Sequence, residues 1–185
     1  MDTKKIEAAV REILIAIGED ADREGLVDTP KRVAKLYKEL LGSYDNPDVD
    51  FSDKVFTEQS FDNFVLIKDI SFSSMCEHHI IPFMGKIHIA YVPVGGNLGL
   101  SKFARIIELY SKRLQLQERM TQQIVNKIND TVKNDGIAIY CEAEHLCMSL
   151  RGVRSTGSKT VTSFFTGRFN REKELKQLFL SLAGI

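Results

Sequence analysis

The 185 residues predict an α+β protein built on an antiparallel sheet, and three observations carry that expectation. Apolar residues recur at helical spacing in several separate stretches. Between them lie two pairs of alternating stretches rich in β-branched and aromatic residues, each pair close enough in sequence to close as a hairpin. The order is therefore two helices, a hairpin, two helices, a hairpin and a terminal helix, in which strands pair with sequence neighbours. Four strands leave two free edges, which predicts continuation of the sheet into neighbouring subunits and hence an oligomer.

The composition suits one globular domain with a core, since 43% hydrophobic and 27% charged residues are ordinary for a chain of this length. Lysine plus arginine balances aspartate plus glutamate at 25 each, so no overall charge favours nucleic acid or an anionic membrane, and neither is expected as a partner. Local basic clusters must hold any anion. No apolar run approaches the roughly 20 residues that span a bilayer. Met1-Asp2-Thr3-Lys4-Lys5 leads into an amphipathic pattern rather than a signal-peptide core, which points to the cytoplasm.

The first helix places Ile6, Val10, Ile13, Leu14 and Ile17 at helical spacing and stops at Gly18. In the second, Thr29 reads as the N-cap and Pro30 as the first helical residue, with Val33, Leu36, Tyr37 and Leu40 buried. Its Arg32 and Lys35 lie three apart and share a face that either grips phosphate or stands solvated. Asp45 to Asp53 is an irregular connection. From Asn63 apolar residues alternate towards Ser73 and deliver the chain to Cys76; beyond Pro82 and Gly85, Lys86 to Val92 is the antiparallel partner. His88 within that partner is a packing or surface residue rather than a ligand. Ser101 is the expected N-cap of a third helix, with Phe103, Ile106, Ile107, Tyr110 and Leu114 on its buried side. Lys102 and Arg105 lie near its start, where unpaired backbone amides favour an anion. Gln115 to Arg119 interrupts before a fourth helix carrying Met120, Ile124, Ile128 and Val132, which ends at Asn134-Asp135-Gly136. Ile137, Ile139 and Cys141 alternate along the next strand, which makes Cys141 a core thiol. Lys159 to Phe165 completes the second pair, and Glu172 to Leu182 is the last helix.

Two of the three cysteines and three of the four histidines fall in Cys76-Glu77-His78-His79 and His145-Leu146-Cys147. The C-x-x-H spacing lets one tight turn bring a thiolate and an imidazole onto one cation, Cys147 can be a third ligand, and zinc suits mixed Cys and His ligation. Three protein ligands leave one tetrahedral position open, as in a catalytic zinc; a fourth from His78, His145 or Cys141 would close the site as a structural one. A Cys76–Cys147 disulfide is disfavoured, because a third cysteine is left over and no signal-peptide core opens the chain. His145 and Cys147 are two apart, so on a strand both would face the same way, leaving His145 beside the metal as a proton-transfer group.

Several motifs together resemble the GTP cyclohydrolase I family. They are Cys76-Glu77-His78-His79-x-x-Pro82-Phe83-x-Gly85, Gly99-Leu100-Ser101-Lys102-x-x-Arg105, Gln115-x-Gln117-Glu118-Arg119, His145-x-Cys147-Met148-x-x-Arg151-Gly152 and Thr29-Pro30-x-Arg32-Val33-Ala34. The resemblance runs over roughly residues 5 to 183. It implies an α+β tunnelling fold, a four-stranded antiparallel sheet with helices on one side, whose sheets join into an oligomeric barrel in a homodecamer of two pentamers. The chain is then a single domain with a helical segment at about 1–45 and a catalytic part at about 60–185. The implied reaction hydrolyses GTP at purine C8, releases formate and recloses the product to 7,8-dihydroneopterin triphosphate, the first step towards tetrahydrofolate or biopterin.

The same resemblance implies that Cys76, His79 and Cys147 bind Zn2+, that His145 is the principal acid/base and that His78 is a second proton-transfer group. Glu118 would accept from the guanine N1 hydrogen and exocyclic amine, which discriminates against adenine, with Gln117 adding contacts to the base. Lys102, Arg105 and Arg151 would hold the triphosphate, joined by Arg32 and Lys35 of an adjacent subunit, and Ser101 would contact the ribose region. The alternatives are a nucleotide-binding protein with a purely structural zinc, which leaves His145 and Glu118 without a task, and a nitrile reductase of the tunnelling fold, whose cysteine nucleophile works without zinc.

Overall fold

The computed structural model describes residues 1–57 and 63–185; the expected start of the catalytic part, near residue 60, lies outside them. The elements in chain order are α1 (Thr3–Ala16), α2 (Thr29–Leu40), β1 (Val55–Phe56), β2 (Val65–Cys76), β3 (Pro82–Pro93), β4 (Asn97–Leu98), α3 (Leu100–Ser111), β5 (Leu114–Gln115), α4 (Gln117–Thr131), β6 (Asn134–His145), α5 (Leu146–Ser149), β7 (Thr160–Phe165), α6 (Gly167–Arg171) and α7 (Lys173–Ala183). The four long strands form the expected antiparallel set, in the order β2-β3-β6-β7. A fifth, two-residue strand extends it: β5 runs parallel to the end of β2, setting Leu114 against Met75 and Gln115 against Cys76. Leu114, expected on a helix, is therefore a strand residue.

Alternation along the strands sorts their side chains. Ile87, Ile89, Tyr91, Ile137, Ile139 and Cys141 point to one face, where α3 supplies Phe103, Ile106 and Ile107 and α4 supplies Met120, Ile124, Val125 and Ile128. The intervening residues Ala90, Val92 and Ala138 point to the other face, where Phe169 of α6 and Phe179 of α7 cover one end of the sheet. Most of the first core is fully buried, and each such side chain stabilises the fold by about 1.5–3 kcal/mol relative to exposure. His88 is buried and its Nδ1 accepts from the Asp69 N–H at 3.3 Å. It supports a register shift between Ile67 and Ile70, in keeping with a packing role.

Helix boundaries differ from the expectations by small steps with clear causes. α3 is capped by Gly99, which places Ser101 inside the first turn. Asp28 rather than Thr29 is the N-cap of α2. α4 begins at Gln117, so Gln117 to Arg119 of the expected interruption form its first turn, while Gln115 lies in β5. Asn134 to Gly136 already belong to β6. On α1 and α2 the apolar stripe is less buried than its spacing suggests: Leu14 and Ala34 are buried, whereas Ile13, Ile17 and Leu36 are exposed. No helix among the described residues is long and apolar enough to cross a membrane.

Candidate active site

β2 ends at Cys76, and the chain reverses through a turn closed by Cys76 N–H to Ile81 O (2.9 Å) and Ile80 N–H to Cys76 O (3.0 Å). Ile80 takes a φ of 53°, a left-handed conformation costly for a β-branched residue. The turn is held from outside as well, because the Glu77 N–H donates to Gln115 O at 3.1 Å and Arg119 on α4 pairs with the Glu77 carboxylate. Within it His79 Nδ1 stands 3.8 Å from Cys76 Sγ.

The third donor arrives through strand register. β6 runs antiparallel to β3 and sets His145 opposite Phe83. His145 is the last strand residue, and Cys147 sits in the four-residue α5. The expected shared strand face is thus replaced by a helical turn that folds Cys147 back over Cys76. One donor atom from each of Cys76, His79 and Cys147 lies within 4.8 Å of the others. Metal–sulfur bonds of about 2.3 Å and metal–nitrogen bonds of about 2.0–2.1 Å at tetrahedral angles separate ligand atoms by roughly 3.5–3.8 Å, so two thiols and an imidazole at this spacing fit a zinc ion. Cys141 lies in the core, where burial pushes its thiol up to about 12. Burial and the neighbouring Cys76 sulfur also raise the Cys147 thiol, with Arg151 pulling the other way. Arg151 Nη1 reaches His79 Nε2 at 3.0 Å.

His145 stays outside the three-donor cluster. Its ring stacks on Phe83 with centroids 4.6 Å apart and planes 4° from parallel, and its Nε2 meets Gln117 Oε1 at 2.8 Å. Burial lowers its pKa, and the negative charge of Glu118 opposes that shift. Glu118 itself is exposed on the first turn of α4. Exposed His78 lies edge-on to His79, 6.1 Å between ring centroids. Gln117 is 1% exposed. Its Nε2 donates to Cys141 O (3.2 Å), Thr160 O (3.0 Å) and Thr162 Oγ1 (3.2 Å).

The basic residues of α3 lie elsewhere. Buried Lys102, 3.4 Å from Asp53 and over the Phe51 ring, lines with Arg105 a cavity of about 540 Å³ bordered by Lys38 and Lys112. α3 starts beyond the far end of β3 and runs back to β5, which borders Cys76. At 1.5 Å per residue, the helix alone puts Lys102 on the order of 15 Å from the metal end of the same chain. Ser101 is exposed beside Lys102. Arg32 pairs with Asp28 at 3.4 Å on exposed α2, and Lys35 follows one turn later. The single chain therefore gathers Cys76, His79, Cys147, His145, His78, Glu118 and Arg151 at one end, and does not bring Ser101, Lys102, Arg105, Arg32 or Lys35 to them. Phe83 and Arg119 acquire tasks that sequence reasoning did not give them, although both stand inside the motifs quoted above.

Comparison with known proteins decides the family. The GTP cyclohydrolase I family profile matches residues 6–184. The chain belongs to the GTP cyclohydrolase I family. It is accordingly an enzyme, with the tunnelling fold of that family. GTP cyclohydrolase 1 of Streptococcus mutans is 50% identical over 182 residues, 98% of this chain and 94% of that protein. GTP cyclohydrolase 1 of Brucella suis is 48% identical over 177 residues, 95% of this chain and 83% of that protein. Among solved structures, an archaeosine synthase QueF-Like in the apo form covers 59% of this chain and 97% of its own at 16% identity and a TM-score of 0.49. Escherichia coli dihydroneopterin aldolase in complex with neopterin covers 57% and 99% at 12% identity and a TM-score of 0.44.

Proposed function

We propose that this enzyme hydrolyses GTP at purine C8, releases formate and rearranges the opened product to 7,8-dihydroneopterin triphosphate, the first step towards tetrahydrofolate or biopterin. The observation that carries the reading is the cluster of Cys76, His79 and Cys147 with His145 beside it and committed to Gln117 rather than to the cluster. A group of three donors leaves a coordination position for a reacting oxygen. Zinc, when bound, supplies a Lewis-acidic centre that makes water nucleophilic near neutral pH.

The remaining chemistry belongs to the chain's own side chains. Glu118 accepts from the guanine N1 hydrogen and exocyclic amine, which orients C8 and rejects adenine. His145 protonates N7 as water adds at C8 and then serves the ring opening, while His78 relays a second proton. Arg151, beside His79, holds one end of the triphosphate. Lys102 and Arg105 hold the rest and Ser101 the ribose region, supplied by a neighbouring copy because they lie at the other end of each chain. Arg32 and Lys35 complete the phosphate site from an adjacent subunit. A homodecamer of two pentamers in the cytoplasm belongs to the same reading, since each complete site needs more than one copy.

The test is an incubation of metal-analysed protein with GTP, following formate and the fluorescence of the oxidised pterin before and after zinc removal. Zinc-dependent appearance of both products is expected. Bound zinc with intact GTP would instead favour a nucleotide-binding protein with a structural metal.

A further inference from the structure

The geometry points to Gln117 and Phe83 as positioning residues that hold the His145 ring in a single tautomer, Nε2 protonated, so that the catalytic proton moves through Nδ1. The inference rests on the reading of His145 as the acid/base.

Three acceptors fix the Gln117 amide. Cys141 O, Thr160 O and Thr162 Oγ1 all lie within 3.2 Å of Nε2, and carbonyl oxygens accept hydrogen bonds but cannot donate them. The NH2 end of the amide must therefore face those oxygens, and Oε1 must face His145. Reversing the amide would set its oxygen against two carbonyls inside a site that is 1% exposed, and a buried unpaired polar group costs about 1–3 kcal/mol. Gln117 Oε1 is thus a pure acceptor, 2.8 Å from His145 Nε2. A neutral imidazole carries one proton, and here Nε2 carries it.

Two consequences follow for the ring. Nδ1 makes no hydrogen bond to protein among the described residues and holds the lone pair of the neutral form. The stack on Phe83, 4° from parallel, resists a turn about the Cβ–Cγ bond, which would break the stack and set the Cε1 carbon in place of Nε2 against Gln117. In the acid step the imidazolium gives its Nδ1 proton to N7 of the purine and keeps the Nε2 proton against Gln117. In the reverse step Nδ1 takes a proton back. An amide partner suits this cycle. It orients the ring as a carboxylate would, but adds no full negative charge to hold the proton on. This role places Gln117 behind the acid/base, where the family motif implied a contact to the base.

The experiment uses zinc-loaded, 15N-histidine-labelled full-length protein and solid-state NMR of the ring nitrogens. The chain has four histidines, and His145→Gln identifies the His145 signals. A protonated Nε2 and bare Nδ1 in the neutral ring are expected; the opposite tautomer would overturn the assignment. Gln117→Met is expected to mix the tautomers and lower kcat on the order of 100-fold, with KM for GTP and zinc content kept. A raised KM at unchanged kcat would return Gln117 to base binding. If Gln117→Met does not assemble, Thr162→Val, which removes one anchor of the amide, is expected to give a smaller kcat loss in the same direction; no loss would count against the clamp. Gln117→Glu, protonated in this buried setting, keeps an acceptor towards Nε2 and is expected to restore much of the rate. Absence of formate with the unsubstituted protein would sink the catalytic reading while leaving the tautomer measurement standing.

Discussion

At the scale of single residues, three sulfur atoms in one small protein face different environments and should behave differently. Cys76 and Cys147 share one cluster with His79, whereas Cys141 is walled into the core with its thiol pushed up to about 12. Cys147→Ser is expected to lose metal and turnover together, measured by metal analysis and formate release. His145→Ala is expected to keep its metal and lose turnover, and shedding of the metal would show that His145 is a ligand after all. Cys141 also makes a prediction about pH. Its folded pKa lies above the ordinary thiol value of 9.0, so the folded chain keeps a proton that the unfolded chain releases. Its contribution to stability is complete below about pH 9 and is lost as pH rises towards 12, at up to about 1.4 kcal/mol per pH unit. Denaturant midpoints of Cys141→Ala and the parent protein should converge over that range; parallel curves would contradict the burial argument.

At the scale of elements, the site depends on how β3 and β6 approach each other. Gly85 pairs with Ala143 two residues from the Phe83–His145 pair. A Cβ at Gly85 would lie 1.9 Å from Glu142 O and 2.6 Å from Ala143 Cα, both backbone atoms that cannot yield without parting the strands. Gly85→Ala is therefore expected to cost several kcal/mol, read as a lower urea midpoint, and to weaken metal binding by disturbing the register that delivers Cys147. Stability equal to the parent's would show that the sheet relaxes there. The turn after Cys76 is braced by α4 through Arg119 and Glu77. Arg119→Ala should loosen it, giving faster metal loss to a chelator at little cost in global stability. An unchanged rate would leave Arg119 as a surface pair.

For the whole molecule, the decisive feature is separation. Lys102 and Arg105 begin a helix at one end of the sheet, and the metal cluster closes the other. The long strands also leave β7 and most of β2 at the edges of the sheet, where pairing groups are available to further copies. A site built from two copies predicts complementation. Cys147→Ser and Lys102→Ala proteins, each inactive alone, should regain activity when co-expressed, because some sites then combine an intact metal cluster with an intact phosphate end. Persistent inactivity of a mixed oligomer, its mixing verified by mass, would place both functions within one chain.

Local periodicity and short-range spacing determine much of this protein's architecture. Alternation at Ile137 and Ile139 and helical spacing at Ile124 and Ile128 mark the core, because side-chain direction repeats every two residues in a strand and about every 3.6 in a helix. The Cys76-x-x-His79 pair is legible because one turn joins its members. Longer reach was decided only by tertiary contact. Whether His145 ligates or stands aside depends on the β3–β6 register and on where β6 ends, and the C-x-x-H spacing holds no information on either. The sequence offers Gln117 only as a contact to the base, and its three acceptors come into reach because α4 lies across β6 and β7, which supply Cys141 O, Thr160 O and Thr162 Oγ1. Lys102 stands in a motif with no distance attached to it, and the course of α3 sets it at the other end of the sheet from Cys76 of the same chain. Residue type and spacing determined which groups are available for chemistry; packing between distant segments decided which of them meet, because only long-range contacts fix the relative positions of atoms far apart in the chain.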